Sequence, residues 1–284
     1  MSLDLDAYLA RLRYEGARDE TVGTLQGLHR AHALVIPFEN LDILLGLPIR
    51  LDLDSLQAKL VASHRGGYCF EQNTLFAAAL EAFGFEVTPL AARVRMGRTG
   101  PTPRTHMVLE VVAEGEKWLA DVGFGGAGLL DPLPFGSEEP VHQGAWSFRL
   151  QREDDLHVVR WLQREGWQDL YAFTLEPQLS IDFEVANHFT STWPRSPFVT
   201  NIYVQRPGLQ ERLGLTREEF VVKLPEGEER TVVTSDEQLV EILEGRFDLR
   251  LPAETRFEGR DQRLSSHGED APTTSGLVRE GPRP

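Results

Sequence analysis

The nine residues at 65–73, RGGYCFEQN, contain the only cysteine of the chain, Cys69, directly after two glycines and a tyrosine. Apolar residues follow at 75, 76, 79, 80 and 83, the spacing of one helix face, and Gly84 is a natural stop. The spacing predicts that Cys69 lies in the first turn of a helix that is entered through a flexible Gly66-Gly67 corner. Unpaired backbone N–H groups and the positive end of the helix dipole meet there and favour an anion, which for cysteine is the nucleophilic thiolate.

A single cysteine is more often a small buried hydrophobic residue than a nucleophile, so the motif alone leaves both interpretations open. A nearby imidazole that takes the thiol proton, together with a third group that orients the imidazole, would favour the nucleophile. The function of the chain therefore depends on whether the fold brings a histidine and an acid to Cys69.

Composition excludes several classes of function. The formal net charge is −15, from 44 acidic and 29 basic residues, which argues against nonspecific binding of nucleic acids or anionic membranes. No apolar run approaches the ~20 residues that a membrane span requires, and the acidic N-terminus lacks a signal-peptide pattern. One cysteine can form neither an internal disulfide nor a four-cysteine zinc site. These features predict a cytoplasmic protein without a metal.

The first 85 residues show a helical pattern. Amphipathic helices are predicted at 3–14 and from Asp19 to Leu34, and a third at 54–62 with Asp54 as a possible cap. The second contains His29 and His32, which we interpret as surface or core residues. The helix that begins near Cys69 is the fourth.

From residue 86 the spacing of the apolar residues changes from the helical pattern to that of strands. A strand region at 85–96 is followed by a loop at 97–105 and by a hairpin of 107–112 with 117–122, which turns at 113–116. Further strands are predicted at 145–150, 156–164 and 167–175. The pattern indicates an antiparallel meander or barrel rather than a βαβ series.

The remainder mixes both patterns. A helix is predicted at 182–193, then strands at 200–206, 217–223 and 229–234. Ser235 and Gln238 form a capping-box pattern at the start of a last helix. After about residue 258 the chain is polar and contains several prolines, which predicts a disordered tail.

Among the eight histidines, His106 is the strongest candidate base. It stands where the loop 97–105 enters an apolar strand, a position where folds present polar side chains to a cleft. In the predicted hairpin, 107 faces about 122, so His106 and Asp121 are diagonal neighbours, close enough for a carboxylate–imidazole hydrogen bond. A satisfied strand-end histidine and a turn-starting aspartate are the alternative interpretation.

These motifs together resemble those of the arylamine N-acetyltransferases. The segment 65–73 is similar to the nucleophile motif of that family, and Val35-Ile36-Pro37-Phe38-Glu39-Asn40-Leu41 resembles the motif before its third helix. Thr105-His106-Met107 and Asp121-Val122-Gly123-Phe124-Gly125 resemble its histidine and aspartate segments in order and spacing. Ser196-Pro197-Phe198 with Asn201 resembles a downstream segment. The resemblance covers roughly residues 5–250 and is densest at 35–130.

The resemblance implies an α+β fold in three parts and a Cys69–His106–Asp121 triad related to that of cysteine proteases. The parts are a helical bundle at 1–85 with the nucleophile, an antiparallel β-barrel domain at 86–195 with the histidine and aspartate, and an α/β lid at 196–258. Residues 259–284 would be the disordered tail. The implied reaction, typical of xenobiotic metabolism, is acetyl transfer from acetyl-CoA to an arylamine or arylhydrazine through an acetyl-Cys69 thioester.

The resemblance also suggests residues that contact the substrates. Phe38, Val94 and Phe124 are expected to line the acceptor pocket, although core packing would explain Phe38 and Val94 as well. Contacts to the CoA arm are expected from the residues Thr105, Gly125, Gly126 and Arg104. Arg104 belongs to a basic cluster with Arg93, Arg95 and Arg98, which is either a phosphate site or a solvated loop face.

Three other functions stay open on sequence grounds. An amide synthase of the same fold would take a carrier-bound acyl chain instead of acetyl-CoA, and a cysteine amidase or peptidase would transfer the acyl group to water. A non-catalytic domain would contain an inert Cys69. For the transferase, acetyl-CoA is a co-substrate rather than a permanently bound cofactor. The expected partners are small aromatic amines or hydrazines, with no nucleic acid or membrane, and the chain is expected to be a monomer or a homodimer.

Overall fold

The computed structural model describes residues 2–98, 100–251, 255 and 257, and it begins with the predicted helices. Most of these helices follow a residue whose side chain caps them. Asp4 Oδ1 accepts from the Ala7 N–H, and the Thr21 hydroxyl accepts from the Thr24 N–H. In chain order the elements are α1 (Leu5–Leu12), α2 (Val22–Val35), β1 (Phe38–Glu39), α3 (Leu41–Leu44), α4 (Leu53–Leu56) and α5 (Cys69–Phe83).

The cap of α4 differs from the prediction. Asp52, not Asp54, caps this helix, because Asp52 Oδ1 accepts from the Ser55 N–H at 3.0 Å. The helix then continues as a π-helical turn at Gln57–Ala62. The predicted end of α5 is confirmed, since Gly84 follows it in the left-handed conformation with φ +101°.

An eight-stranded antiparallel sheet that approaches a barrel follows the helices, in the order β5-β4-β3-β2-β9-β8-β7-β6. The predicted hairpin of 107–112 with 117–122 is part of this sheet, and its register is confirmed, as Leu109 lies opposite Ala120 and Val112 opposite Lys117. The strands are β2 (Glu86–Val94), β3 (Arg104–Ala113), β4 (Glu116–Ala120), β5 (Leu133–Pro134), β6 (Val141–Gln143), β7 (Trp146–Glu153), β8 (Leu156–Gln163) and β9 (Gly166–Pro177).

A second, five-stranded sheet has the order β1-β10-β11-β12-β13. The predicted strand at 200–206 is shorter than expected because Pro197–Thr200 forms a short helix that Ser196 caps. The predicted last helix is confirmed with its cap, since Ser235 accepts from the Gln238 N–H. The elements are α6 (Ser180–Thr192), α7 (Pro197–Thr200), β10 (Val204–Arg206), β11 (Arg212–Leu215), β12 (Glu219–Leu224), β13 (Gly227–Val232) and α8 (Asp236–Phe247).

The α+β fold class is confirmed, whereas the domain limits stay a prediction. The strand β1 lies within the proposed helical bundle but pairs with β10, with Phe38 opposite Gln205. The buried apolar side chains form three clusters: one around the helices, which includes Cys69, one inside the eight-stranded sheet and one between the second sheet and α8. The proposed tail at 259–284 lies outside the described residues.

None of the helices in the described ranges is long and apolar enough to cross a membrane.

The two sheets meet at the turn before β7. The Ala145 N–H donates to the carbonyl oxygen of Leu209, and the Trp146 indole N–H donates to that of Gly208, both at 2.8 Å. Gly144, in the same turn, has φ +66°, and a Cβ atom there would overlap the Leu209 carbonyl oxygen. Only glycine therefore allows this approach of the two backbones.

We expect Gly144→Ala to lower the free energy of unfolding by about 2–4 kcal/mol, because it adds left-handed strain to a steric overlap. Gly227→Ala is the matched control, since its Cβ would meet nothing within 4 Å and its φ is not positive. The control should change stability by less than about 0.5 kcal/mol. Denaturant unfolding of both variants measures the difference, and equal midpoints would contradict the proposed role of Gly144.

Candidate active site

Cys69 is the first residue of α5, as the sequence predicts, and its side chain is 5% exposed. The thiol donates to the carbonyl oxygen of Thr105 at 3.6 Å. The residue before it, Tyr68, is held in place because its N–H donates to Glu71 Oε2 at 3.0 Å and its hydroxyl to Asn187. The sulfur is thus placed between the start of a helix and the start of β3.

The two glycines before Cys69 serve close packing more than flexibility. Neither has a positive φ. A Cβ atom at Gly66 would overlap the Pro37 carbonyl oxygen, and one at Gly67 would lie 2.9 Å from the Glu71 side chain. The expected flexible corner is therefore a tightly packed segment.

A network of buried ion pairs fixes the segment that leads into α5. Arg65 bridges Glu39 and Asp42, while Lys59 bridges Asp42 and Glu71 at 2.8 and 2.7 Å. Burial raises the pKa of Glu71 to about 7, although the neighbouring Lys59 ammonium opposes the shift. The Arg65 and Glu71 positions of the motif thereby connect the nucleophile helix to α3 and to the π-helical turn.

His106 and Asp121 form a buried pair. His106 Nε2 donates to Asp121 Oδ2 at 2.7 Å, and the two residues are 2% and 0% exposed. The Cys69 side chain lies close enough to His106 to affect the charge of its ring. Because Nε2 is occupied by the carboxylate, the Nδ1 atom of His106 is the one left for the sulfur. The structure therefore brings the three predicted triad residues together.

The charges of this pair depend on each other. Burial alone lowers the pKa of His106, but the Asp121 carboxylate and the contact with Cys69 outweigh it and raise this pKa to about 10. For Asp121, burial favours the neutral acid, but His106 and the hydrogen bonds from Asn73 and Gly123 lower its pKa. At neutral pH the pair is therefore an imidazolium and a carboxylate.

Asn73 ties the nucleophile helix to both strands of the hairpin. It lies one helical turn after Cys69, and its Nδ2 donates to Met107 O at 2.8 Å and to Asp121 Oδ1 at 3.0 Å. Its Oδ1 accepts from the Val122 N–H at 3.1 Å. The motif includes Asn73, but its periodicity does not reveal this role.

His29 supports Asp121 from the opposite side, a contact that the sequence analysis missed. Its Nδ1 donates to Leu130 O at 3.1 Å, so its Nε2 accepts the Asp121 N–H at 3.0 Å. Burial lowers the pKa of His29 and keeps the ring neutral, as this hydrogen-bond pattern requires. The two residues are 92 positions apart, and no local pattern connects them.

Gly123 allows the Asp121 loop to touch the nucleophile helix. A Cβ atom at this position would lie 2.7 Å from Cys69 Cα and 2.8 Å from Asn73 Nδ2. The Gly123 N–H also donates to Asp121 Oδ1 at 2.9 Å. A side chain here would push the carboxylate away from the helix.

Two aromatic rings enclose the imidazole. The ring centroids of His106 and Phe124 are 5.1 Å apart, and those of His106 and Tyr171 4.9 Å. Phe124 is half-buried, whereas Tyr171, on β9, is fully buried. The sequence predicts a role for Phe124 but gives no signal for Tyr171, which reaches the site through the β2–β9 pairing.

The other predicted contact residues are distributed around this centre. Phe38 packs on Phe198 with centroids 6.0 Å apart and lies next to Gly125, whose φ is +83°. Val94 lies opposite Tyr171 in the sheet. The Gly126 N–H donates to Gln205 on β10 at 3.0 Å. These residues lie around the triad, and their roles as substrate contacts stay predictions.

The loop after Asp121 is held by the second sheet. Arg212, on β11, donates from Nη1 to the carbonyl oxygens of Gly126 and Gly128 at 2.6 and 2.8 Å. Its guanidinium lies over the rings of Trp146, Phe148 and Trp161. Burial lowers the pKa of Arg212 to about 9, and it is only 2% exposed.

The predicted basic cluster lines a surface cleft of about 490 Å³, to which Arg93, Arg95, Arg98 and Arg104 all contribute. Arg104 donates to Glu176 at 3.0 Å, and Arg95 pairs with Glu153 and Asp169. Anions would have to compete with these carboxylates. No group of histidine, cysteine and acidic side chains in the described ranges could hold a metal ion.

The chain is similar to known proteins both in sequence and in structure. A family model described as N-acetyltransferase matches residues 21–256. The chain is 39% identical over 258 residues to an arylamine N-acetyltransferase of Mycolicibacterium smegmatis, which covers 88% of this chain and 94% of the relative. The crystal structure of the Nocardia farcinica arylamine N-acetyltransferase is 45% identical with a TM-score of 0.84, over 88% of this chain and 90% of that chain. The Mycobacterium marinum enzyme in complex with CoA is 34% identical with a TM-score of 0.82, over 86% and 92%.

We expect Asp121→Asn to slow alkylation of Cys69 by iodoacetamide at pH 7 by about tenfold or more. Without the carboxylate, the effect of burial dominates and lowers the pKa of His106. The ring then becomes neutral and no longer stabilises a thiolate. The rate should recover only as the pH rises. The wild-type rate should change little between pH 7 and 9, because the imidazolium persists until the pH approaches 10.

Asp169→Asn is the matched control for this experiment, since Asp169 pairs with Arg95 and Arg160 away from Cys69. It should leave the alkylation rate unchanged. Equal rates for wild type and Asp121→Asn would show that the carboxylate does not act on the sulfur.

Proposed function

Since this chain belongs to the arylamine N-acetyltransferase family and its activity is acetyl transfer to arylamines, we propose that Cys69 is the nucleophile, His106 the acid–base group and Asp121 the residue that orients His106. The observation that carries this assignment is the buried hydrogen bond from His106 to Asp121, with the only cysteine against the same imidazole. Each role follows from the chemistry that the residue can perform there.

The first half-reaction loads the enzyme. The His106 imidazolium would hold the Cys69 sulfur as a thiolate, and this sulfur attacks the carbonyl carbon of acetyl-CoA. The tetrahedral intermediate then expels the CoA sulfur, which receives the proton from His106, and an acetyl-Cys69 thioester remains. One thioester replaces another, so this step is close to isoenergetic and the acetyl group stays reactive.

The second half-reaction transfers the acetyl group from Cys69 to the amine. An arylamine is a weak base and therefore neutral at pH 7, so its nitrogen can attack the thioester carbonyl directly. His106, neutral after the loading step, takes a proton from the amine as the intermediate collapses, and the Cys69 sulfur departs as the thiolate beside the restored imidazolium. The products are the N-acetyl arylamine and the free enzyme. An arylhydrazine would react in the same way through its terminal nitrogen.

The negative oxygen of each tetrahedral intermediate requires hydrogen-bond donors. Backbone N–H groups of the first turn of α5 and of the segment 104–106 are the candidates, because both segments meet at the sulfur. These donors are already in place before the reaction, so they need no reorganisation.

We assign the acceptor site to the face of the imidazole that carries Phe124. An aromatic amine would stack on this half-buried ring and would thereby bring its nitrogen to the thioester. Phe38 and Val94 would complete the wall. Phe38 lies next to the neighbouring Gly125, and Val94 lies opposite Tyr171.

The CoA arm would pass along the backbone of Gly125 and Gly126 and past Thr105 beside the sulfur, while Gln205 and Phe38 occupy the space on the Cβ side of Gly125. Arg104 and the basic cleft would meet its phosphates. The family uses acetyl-CoA, and the M. marinum relative was solved with CoA. A cytoplasmic location would suit a free thiol of this reactivity.

Cys69→Ala should abolish acetyl transfer while leaving the fold intact, because only the sulfur is lost. Incubation of the wild type with acetyl-CoA alone should add the mass of one acetyl group, and an arylamine should then remove it. Intact-protein mass spectrometry follows both steps. An acetylated Cys69→Ala chain, or transfer without an adduct in the wild type, would contradict the covalent route.

Phe124→Leu should slow discharge of the acetyl-enzyme by an arylamine several-fold, because stacking is lost, and should leave loading by acetyl-CoA unchanged. Phe135→Leu is the control, since Phe135 is also half-buried but packs on His157 and Phe173. Stopped-flow kinetics of each half-reaction separates the two effects. Slower loading with normal discharge would place Phe124 at the CoA arm instead.

A further inference from the structure

One side of α6 carries a row of exposed apolar side chains. Ile181, Val185 and Phe189 follow each other at i+4 spacing, and Trp193 continues the series just beyond the helix. Their exposed fractions are 62%, 68%, 39% and 37%. The rings of Phe189 and Trp193 stack with centroids 5.1 Å apart. We refer to these four residues as the α6 row.

Exposed apolar surface is concentrated here. Of the eleven large hydrophobic side chains that are exposed in the described part of the chain, six lie between residues 175 and 193, namely the α6 row together with Leu175 and Leu179. The other five are scattered over the molecule. Single exposed apolar residues are ordinary, whereas a contiguous patch marks an interaction surface.

The opposite side of α6 is firmly anchored, so the exposure of the row does not come from a loosely placed helix. Phe183 is buried in the helical cluster. Asn187 accepts from the hydroxyl of Tyr68 and donates from Nδ2 to Ile49 O at 3.1 Å. These contacts fix the rotation of α6 about its axis and direct the row outward.

We propose that the α6 row is a homodimer interface, in which two copies of the chain pack their α6 helices antiparallel across a two-fold axis. A two-fold interface places the same surface on both subunits and must therefore be self-complementary. A single row of similar apolar side chains satisfies this condition. Ile181 of one copy would meet Trp193 of the other, and Val185 would meet Phe189.

The charges at the two ends of the row favour this arrangement. Asp182 and Glu184 lie at its beginning, and Arg195 lies at its end over the Trp193 ring, 4.9 Å from the centroid. Antiparallel packing places the acidic end of each copy beside the Arg195 of the other. The helix dipoles are also antiparallel in this pairing, which is the favourable orientation. A parallel pairing would bring like charges together.

Other occupants fit less well. An anionic lipid surface would be repelled by Asp182 and Glu184 and by the net charge of −15. The chain's own segment 258–284 contains only three large aliphatic side chains, Leu264, Leu277 and Val278, and no aromatic one. It therefore offers too few apolar side chains to match the row. The row spans about 18 Å, so the interface is small, and we expect the dimer to form in the micromolar range.

Sedimentation velocity of the full chain over the micromolar range tests the proposal. The wild type should shift from monomer to dimer with concentration, and Val185→Glu should weaken the dimer at least tenfold. Val232→Glu is the matched control, because Val232 is 70% exposed on β13 and the substitution adds the same charge. A monomeric wild type, or a Val185→Glu variant that dimerises normally, would overturn the proposal.

Charge reversal tests the antiparallel orientation. Arg195→Glu should weaken the dimer, and Glu184→Arg in the same chain should restore it; a double variant that stays weak overturns this orientation.

A chain that ends at Phe257 should dimerise like the full chain. If the shortened chain dimerises and the full chain does not, the terminal segment covers the row and the proposal fails. All variants should load one acetyl group from acetyl-CoA, which verifies that they fold.

Discussion

The buried hydrogen bond between His106 and Asp121 is the interaction on which the rest of the site depends. Burial alone would make both groups neutral, so each stays charged chiefly because the other lies 2.7 Å away. The surrounding structure maintains that distance. Asn73 donates to the carboxylate, His29 accepts from the Asp121 backbone, and Gly123 lets the loop pack directly on the nucleophile helix. An isolated ion pair of this kind would be costly, and these contacts offset its desolvation.

The nucleophile depends on a second set of buried charges. Arg65 and Lys59 connect α5 to Glu39 and Asp42, so the helix that presents Cys69 is fixed at its start. Glycine is needed twice in this segment, because its backbone touches the Pro37 carbonyl and the Glu71 side chain. The same network thus explains why arginine, two glycines and glutamate surround the cysteine in the motif.

The second sheet reaches the site through the loop after Asp121. Gln205 and Arg212 hold the backbone of Gly126 and Gly128, and the Arg212 guanidinium is enclosed by aromatic rings of the eight-stranded sheet. The loop that presents Phe124 to His106 is therefore fixed from both sheets. This placement links the acceptor side of the site to a part of the chain about 80 residues away, and it is the reason why β10 and β11 matter for a site to which they contribute no triad residue.

The sequence alone determined the parts of the site that local patterns encode. The helix start at Cys69, its end at Gly84 and the register of the β3–β4 hairpin all follow from spacing, since helix periodicity and hairpin pairing act over a few residues. Tertiary structure alone decided the supporting contacts of His29, Tyr171 and Arg212. These residues reach the site through pairings between distant segments, which depend on how sheets and helices pack and leave no local trace in the order of amino acids.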